Sequence, residues 1–411
     1  MKIAIFVPTW PAGTNANGIV TYASYLIPAL RHLGHQVFVL TLDGRSAEQD
    51  TYTVDLNSVI TPRTLIDPLL RKFYPDKTHH NQIAKRISAA LVSLQKTTQI
   101  DVLEIEESFG WSDLVARTQS VPVVVRLHGP WIVNGQTSTE KRERFEDRVR
   151  QEGRALNSAS YITAPSQFVL DAVRSHYRIQ LDNSRVIYNP IPEQERAWEL
   201  AGCDQLRVLY VGRFDRAKGA DILLKAFEAL IELYPSLRLT FVGPDRGIES
   251  DDGAIRFEEY AERHLSPDCR RKIDFKGQLS HAAVMELRSN HFFTIVASRF
   301  EILPYSVIEA MAMGCPIVAS DVGGIAELLS HERNGLLFEN GSWKALVEQC
   351  LSLLKEPQKA ARLGAQARID CQDMLTPEQV AKETISAYET AIRLTKKRQG
   401  VVTLPPWLDP V

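Results

Sequence analysis

Short apolar runs that end at turn-forming or polar residues, each followed by residues at helical spacing, recur along most of the chain. Lys2 to Pro8 forms a strand pattern, and residues 9–18 form a loop rich in Gly, Asn, Thr and Pro. Ile19, Tyr22, Ala23, Leu26, Ile27 and Leu30 then fall on one helical face that stops at Gly34, after which Gln36 to Leu40 returns to strand. Strand, loop, helix and strand in that order is the unit of a parallel sheet. Further strands are expected at Asp101 to Ile105, Val121 to Leu127 and Tyr161 to Ala164.

Pro190 and Pro192 stiffen the backbone and exclude helix, which places a domain boundary at residue 192. The pattern restarts with a strand at Leu206 to Gly212 and a helix at Asp221 to Leu233. Strands follow at Leu237 to Gly243, Ile273 to Gly277, Phe292 to Ala297 and Pro316 to Ser320. The expectation is an α/β protein of two Rossmann-like doubly wound domains, 1–192 and 193–377, facing a cleft. Ligands of open α/β sheets bind outside the strand C-termini, so the loops there are where chemistry is sought.

The length of 411 residues fits two domains at roughly 150 residues each. With 44% hydrophobic and 24% charged residues, the chain is of the folded globular class, not disordered, collagenous or membrane-embedded. Its 48 basic and 50 acidic residues leave a net charge of -2, too weak a field to gather a polyanion, so no nucleic-acid partner is expected. Cys203, Cys269, Cys315, Cys350 and Cys371 are irregularly spaced without a Cys-x-x-Cys, the usage of reduced thiols. No signal-peptide pattern opens the sequence and no run approaches the ~20 apolar residues of a membrane span. The expected localisation is cytoplasmic, with peripheral attachment to the inner face of a membrane left open.

Three loops carry candidate chemistry. In Ser298-Arg-Phe-Glu301-Ile-Leu-Pro304-Tyr305-Ser306-Val307-Ile-Glu309, a strand ends, Pro304 suits the first position of a helix, and Glu309 lies on that helix's next turn. A helix start offers unpaired N–H groups and the positive end of the dipole, while Glu301 and Glu309 are strong acceptors for hydroxyls. Such an arrangement suits a phosphate flanked by two sugars; the alternative is a pair of surface glutamates beside an ordinary cap. In Gly212-Arg213-Phe-Asp215-Arg-Ala-Lys218-Gly219, Arg213 and Lys218 either converge on a diphosphate or pair with Asp215 or Asp221. Gly18, at the start of the first helix, allows a ligand close to the backbone or simply makes a turn. His128 ends a strand, either as a functional side chain or as a hydrogen-bonded structural one.

Gly-x-Gly-x-x-Gly and Gly-x4-Gly-Lys-Ser/Thr are both missing, so dehydrogenase and P-loop classes lose support. Neither an Asp-x-Asp triplet nor a His or Cys set with ligand spacing occurs, and no metal site or other cofactor is expected.

At these residues the chain resembles the retaining GT-B glycosyltransferases, specifically glycosyltransferase family 4. The resemblance spans most of the chain and rests on Asn17-Gly18, Gly212-Arg213-x4-Lys218-Gly219, Glu301-x7-Glu309 with Ala-Met-Ala-x-Gly after it, and Val322-Gly323-Gly324-Ile-Ala-Glu327. It implies a nucleoside diphosphate sugar held mainly by the second domain. Glu309 would bind ribose hydroxyls, Arg213 and Lys218 the diphosphate, and Glu301 the hydroxyls of the transferred sugar. Backbone N–H groups of Tyr305, Ser306, Val307 and Gly18 would complete the cradle, Gly277 to Leu279 would line the base pocket, and His128 would sit beside the reacting carbon. Transfer with retention by front-side attack, without a metal, is also implied, as is a last helix, 378–411, returning to complete the first domain. Leu303-Pro304 stands where many members have Phe-Gly, so one backbone donor is absent.

The acceptor would lie on the first domain. Residues 62–96 interleave Arg63, Arg71, Lys72, Lys77, Lys85, Arg86 and Lys96 with Leu65, Ile66, Leu69, Leu70, Phe73 and Tyr74. Two readings stand: a surface that lies on an anionic membrane and presents a lipid-linked acceptor, or a solvated face over a small apolar core. The expected function is hexosyl transfer from a nucleoside diphosphate sugar to a hydroxyl of a glycan, lipid-linked or small-molecule acceptor. A sugar-nucleotide epimerase of the same fold and a non-catalytic sugar-nucleotide-binding module are the alternatives.

Overall fold

A computed structural model describes residues 1–12, 17–43, 51–61, 75–135, 142–250 and 253–400, the side chains of 75–79, 250 and 398–400 excepted. The chain divides into two compact units, Met1–Tyr188 with Pro377–Val411, and Asn189–Thr376. Each is an α/β unit built on its own parallel sheet.

In the first unit, β1 (Lys2–Val7), β2 (Gln36–Thr41), β3 (Thr53–Asp55), β4 (Val102–Glu106), β5 (Val123–Arg126), β6 (Tyr161–Ala164) and β7 (Ser184–Val186) are ordered β3-β2-β1-β4-β5-β6-β7. The helix Gly18–His32 is capped by Asn17, whose side chain accepts the Ile19 N–H at 3.0 Å. Its buried face, including Val20, Leu26, Ile27 and Leu30, packs with Ile3, Ile5 and Val7 of β1 and with Val380, Ala381, Ala387 and Tyr388 of the helix Pro377–Gly400. Each fully buried aliphatic side chain contributes roughly 1.5–3 kcal/mol, which is what binds the last helix to this unit.

The second unit contains β8 (Asp204–Val211), β9 (Arg238–Val242), the antiparallel pair β10 (Ile248–Ser250) and β11 (Gly253–Ile255), β12 (Ile273–Gly277), β13 (His291–Val296), β14 (Ile317–Ser320) and β15 (Leu336–Phe338). Its parallel sheet is ordered β12-β9-β8-β13-β14-β15. β13 is buried along its whole length, as expected of a central strand covered on both faces.

The strand order reverses between β1 and β4 in the first sheet and between β8 and β13 in the second. At such a switch point the two following loops part to opposite faces, opening a crevice at the strand C-termini.

Of the basic segment 62–96, residues 62–74 lie outside the described residues. The described part of the helix Pro75–Gln95 turns Ile83, Ala84, Ile87, Ala90 and Leu91 inward, and Arg86 donates to Asn57 Oδ1 at 3.0 Å. No helix among the described residues is long and apolar enough to cross a membrane. All five cysteines are free, with Cys269, Cys315, Cys350 and Cys371 buried.

Candidate active site

The loops after β8 and β13 meet at the switch point of the second unit. Gly219 makes this approach possible: its φ is +70°, and a Cβ there would lie 1.8 Å from the Ala297 carbonyl oxygen. Tyr210 OH donates to the Lys218 carbonyl at 2.7 Å. Arg299 N–H donates to Ala217 O at 2.9 Å, and the Arg299 guanidinium grips both oxygens of Asp221 at 2.7 Å each. The two loops are thus one hydrogen-bonded body.

On that body Lys218 Nζ stands 2.5 Å from Glu301 Oε1, which also accepts from Ser298 Oγ at 2.7 Å. Glu301 is buried, and the Lys218 side chain keeps about a quarter of its surface in solvent. Arg213 Nε donates to Asp215 Oδ2 at 2.5 Å, while Asp215 Oδ1 accepts the Lys218 N–H at 2.7 Å. Of the two sequence alternatives for these cations, the Arg213–Asp215 pair is present; Lys218 pairs with Glu301 and Asp221 with Arg299.

Pro304 is the N-cap of the helix Tyr305–Met313, not its first residue, because its ψ of 130° is still extended. The Val307 N–H already donates to Pro304 O at 3.1 Å, so it is turned into the helix's own first turn and is not an open donor. Tyr305 OH donates to Pro190 O at 3.4 Å. One turn on, Glu309 faces an imidazole and a guanidinium, with Oε1 3.3 Å from His281 Nδ1 and Oε2 3.2 Å from Arg288 Nη2. Burial pushes its carboxyl upward, but the His281 hydrogen bond and the Arg288 charge outweigh it and the net shift is down. Gly277 ends β12 at φ +63° with open space where a Cβ would stand, and Leu279 packs against Leu209, Val242 and Val284.

In the first unit Gly18 opens its helix with open space around a would-be Cβ, so the fold itself does not require glycine there. His128 follows β5, its ring edge-on to Tyr22 at 5.0 Å between centroids. Part of its surface reaches solvent, yet burial and the Arg126 charge hold the imidazole well below its usual range, so it is neutral at pH 7. Arg126 lies over the Tyr22 ring at 4.4 Å, and Tyr22 and Tyr388 hydroxyls donate to the two oxygens of buried Glu104 at 3.1 and 2.9 Å.

Four glutamates missed by sequence reasoning surround this loop. Glu107 accepts the N–H groups of His128 and Gly129 at 2.8 and 2.7 Å, and Glu152 accepts the Trp131 N–H at 2.7 Å and Arg148 Nε at 3.1 Å. Burial first, then the Glu107 charge, raises Glu106 to about 8 and Glu152 to about 7. The available signal was Glu104-Ile-Glu106-Glu107: acidic residues within a parallel strand that should be apolar throughout.

The described residues hold no group of three or more His, Cys, Asp or Glu placed to bind a metal. Chemically, the second unit offers two cations and two carboxylates around a helix start, a set suited to an anion carrying hydroxylated groups on both sides.

The family model for glycosyl transferases group 1 matches residues 193–370, and that for glycosyltransferase family 4 matches residues 16–195. The chain belongs to the GT-B glycosyltransferases. This glycosyltransferase is 24% identical over 389 residues to a D-inositol 3-phosphate glycosyltransferase of Paenarthrobacter aurescens, covering 86% of this chain and 89% of the relative. Three other curated relatives are matched over 66%, 60% and 56% of their own length. Sucrose-phosphate synthase from Thermosynechococcus elongatus superposes with a TM-score of 0.73 at 23% identity, covering 95% of this glycosyltransferase and 99% of that chain. Anabaena HepE in complex with UDP-glucose gives 0.65 at 18% identity, covering 94% and 100%. These structural likenesses bear on the fold.

Proposed function

We propose that the protein is a retaining, metal-independent hexosyltransferase. It takes a nucleoside diphosphate sugar as donor and a hydroxyl of a glycan, lipid-linked or small-molecule acceptor. The observation that carries this reading is the juxtaposition of Lys218 and Glu301 at the switch point of the second sheet, just before the helix Tyr305–Met313 that carries Glu309. A donor of this class presents, in order, a ribose diol, two phosphates and a sugar. Glu309 takes the diol, Arg213 and Lys218 with the open amides of the helix start take the phosphates, and Glu301 takes the sugar hydroxyls.

The bond from the anomeric carbon to the phosphate oxygen breaks, and negative charge grows on the leaving diphosphate. Two fixed cations and a helix start stabilise that charge more in the transition state than in the ground state, which is what accelerates a step. The same two cations stand in the role a divalent ion plays elsewhere. The acceptor oxygen attacks from the side the phosphate leaves, and its proton passes to a leaving phosphate oxygen, so the configuration is kept. For His128 the family resemblance implies a hydrogen bond to the sugar; a neutral imidazole would make it without placing a second positive charge beside a cationic anomeric centre.

Thermal-shift and calorimetric titration with UDP, GDP, ADP and CDP name the base, with UDP-glucose, the ligand of HepE, as the first donor to try. Proton NMR of the product then reads the anomeric configuration, with and without EDTA. Selective binding of one nucleoside diphosphate and an axial-to-axial or equatorial-to-equatorial transfer unaffected by EDTA is the expected result. Inversion, a lost rate in EDTA, or isomerised donor without transfer would each replace this reading.

A further inference from the structure

His281 and Arg288 begin and nearly end the helix His281–Asn290, which Ser280 caps by accepting the Ala283 N–H at 3.3 Å. Seven residues apart is two turns, so both side chains leave the same face. Both reach one carboxylate on another helix, His281 Nδ1 at Glu309 Oε1 and Arg288 Nη2 at Glu309 Oε2. Arg288 has no exposed surface; its Nη1 donates to Thr294 Oγ1 on β13 at 3.2 Å, and its Nε has no acceptor among the described residues. A guanidinium so deeply placed is held for its charge and its direction, since a buried cation without a carboxylate is strongly unfavourable.

The consequence for Glu309 is geometric. An ionised carboxylate accepts through about four lone-pair sites, and one on each oxygen is taken by the helix His281–Asn290. What remains is one site on each oxygen, and 13% of the Glu309 side chain reaches solvent. Two parallel acceptors on neighbouring oxygens match a vicinal diol, each hydroxyl donating to its own oxygen.

We propose that Arg288 and His281 are positioning residues that turn the two remaining acceptor sites of Glu309 toward both hydroxyls of a ribose, making the donor site select ribonucleoside over 2′-deoxyribonucleoside diphosphates. The inference rests on the reading of Glu309 as the ribose-holding group. Removing the 2′-hydroxyl leaves one oxygen of a fixed, charged acceptor without its partner, and sites built around a substrate hydroxyl reject the analogue that lacks it. Neither Arg288 nor His281 needs to touch the ligand for this to hold.

The test is calorimetric titration of the full chain with UDP, GDP, ADP and CDP and with their 2′-deoxy counterparts. The wild-type protein is expected to bind its preferred ribonucleotide at least about tenfold more tightly than the deoxy form. His281→Ala, at a half-exposed helix start that tolerates truncation, is expected to weaken the ribonucleotide severalfold and leave the deoxy form unchanged, so the ratio shrinks. Arg288→Met is expected to collapse the ratio, and Arg288→Lys to restore part of it. Equal weakening of both ligands in His281→Ala and Arg288→Lys would assign the pair a merely structural role and overturn the inference. An unchanged ratio in His281→Ala and Arg288→Lys, or a wild-type protein that binds both forms equally, would do the same. A wild-type protein that binds none of the nucleoside diphosphates would instead overturn the proposed function, and this inference with it.

Discussion

Lys218 Nζ lies 2.5 Å from Glu301 Oε1, across the point where the strand order of the second sheet reverses. A cation suited to phosphate oxygen and an anion suited to sugar hydroxyls are thus held side by side. The pair is partly buried, so its attraction is less screened than that of a surface ion pair. It also spans two loops separated by 83 positions in the chain, which fixes each loop by reference to the other.

Lys218→Ala and Glu301→Ala are each expected to lower transfer at least about tenfold, the scale of losing one charge that acts on a developing oxyanion. Both should stay folded, because Lys218 is partly solvated and Ser298 remains beside Glu301 or its replacement. The double variant should lose less than the product of the two single losses, since the residues act as a unit. Steady-state rates for the three variants, with circular dichroism as the control, decide the matter; wild-type turnover in either single variant would break the assignment.

The apolar runs and their helical partners made both sheets legible in the sequence because parallel strands buried on both faces are near-continuous hydrophobic segments. β3, β7 and β15 were not legible, since three-residue edge strands carry too little pattern to stand out. Within the site, the two-carboxylate helix and the Arg213–Lys218 loop were found because charged residues at strand ends and helix starts contrast with their surroundings. Their pairing was not, because Lys218 and Glu301 meet only when β8 and β13 lie adjacent. Arg288 was invisible for a related reason: an Arg in a helix ordinarily faces water, and nothing local indicates that this one is fully buried.

Gly219→Ala is expected to damage both stability and activity. The added methyl would sit 1.8 Å from the Ala297 carbonyl oxygen at a φ of +70°, so clash and backbone strain combine. The loss should be on the order of 2–4 kcal/mol, at the upper end for single substitutions. Urea denaturation gives the stability, and nucleoside diphosphate affinity should fall in parallel because the Lys218 loop is displaced. An alanine variant with an unchanged midpoint would mean that the β8 and β13 loops do not depend on this close approach.

Glu107→Ala is expected to separate the two units' contributions. It leaves the part-buried His128 and Gly129 N–H groups without their acceptor, a cost of at most roughly 1–3 kcal/mol for each donor. Relief of the repulsion on Glu106 and Glu152 offsets part of that cost. With the His128 loop loosened, kcat should fall about tenfold, while the affinity for nucleoside diphosphate, which the proposed function assigns to the second unit, should stay at the wild-type value. Loss of nucleotide affinity with kcat intact would contradict this division of labour.

Glu106 sets a pH dependence whose sign follows from its burial. Its carboxyl is raised to about 8, so the folded protein keeps a proton there that the unfolded chain releases near the ordinary glutamate range. The folded state therefore binds more protons than the unfolded state between those limits, and stability falls as pH rises through that window. Glu152, raised to about 7 by burial and by Glu107, contributes with the same sign over a narrower range. The slope from one such group is at most about 1.4 kcal/mol per pH unit. Urea midpoints at pH 6 and pH 8 should thus drop for the wild-type protein. Glu106→Gln, which is neutral at both pH values and keeps an oxygen for the Ser108 hydroxyl at 3.0 Å, should show a smaller drop and be the more stable protein at pH 8. Equal slopes in the two proteins would mean that Glu106 is already ionised in the folded state, and that Arg148 compensates its burial more strongly than the geometry indicates.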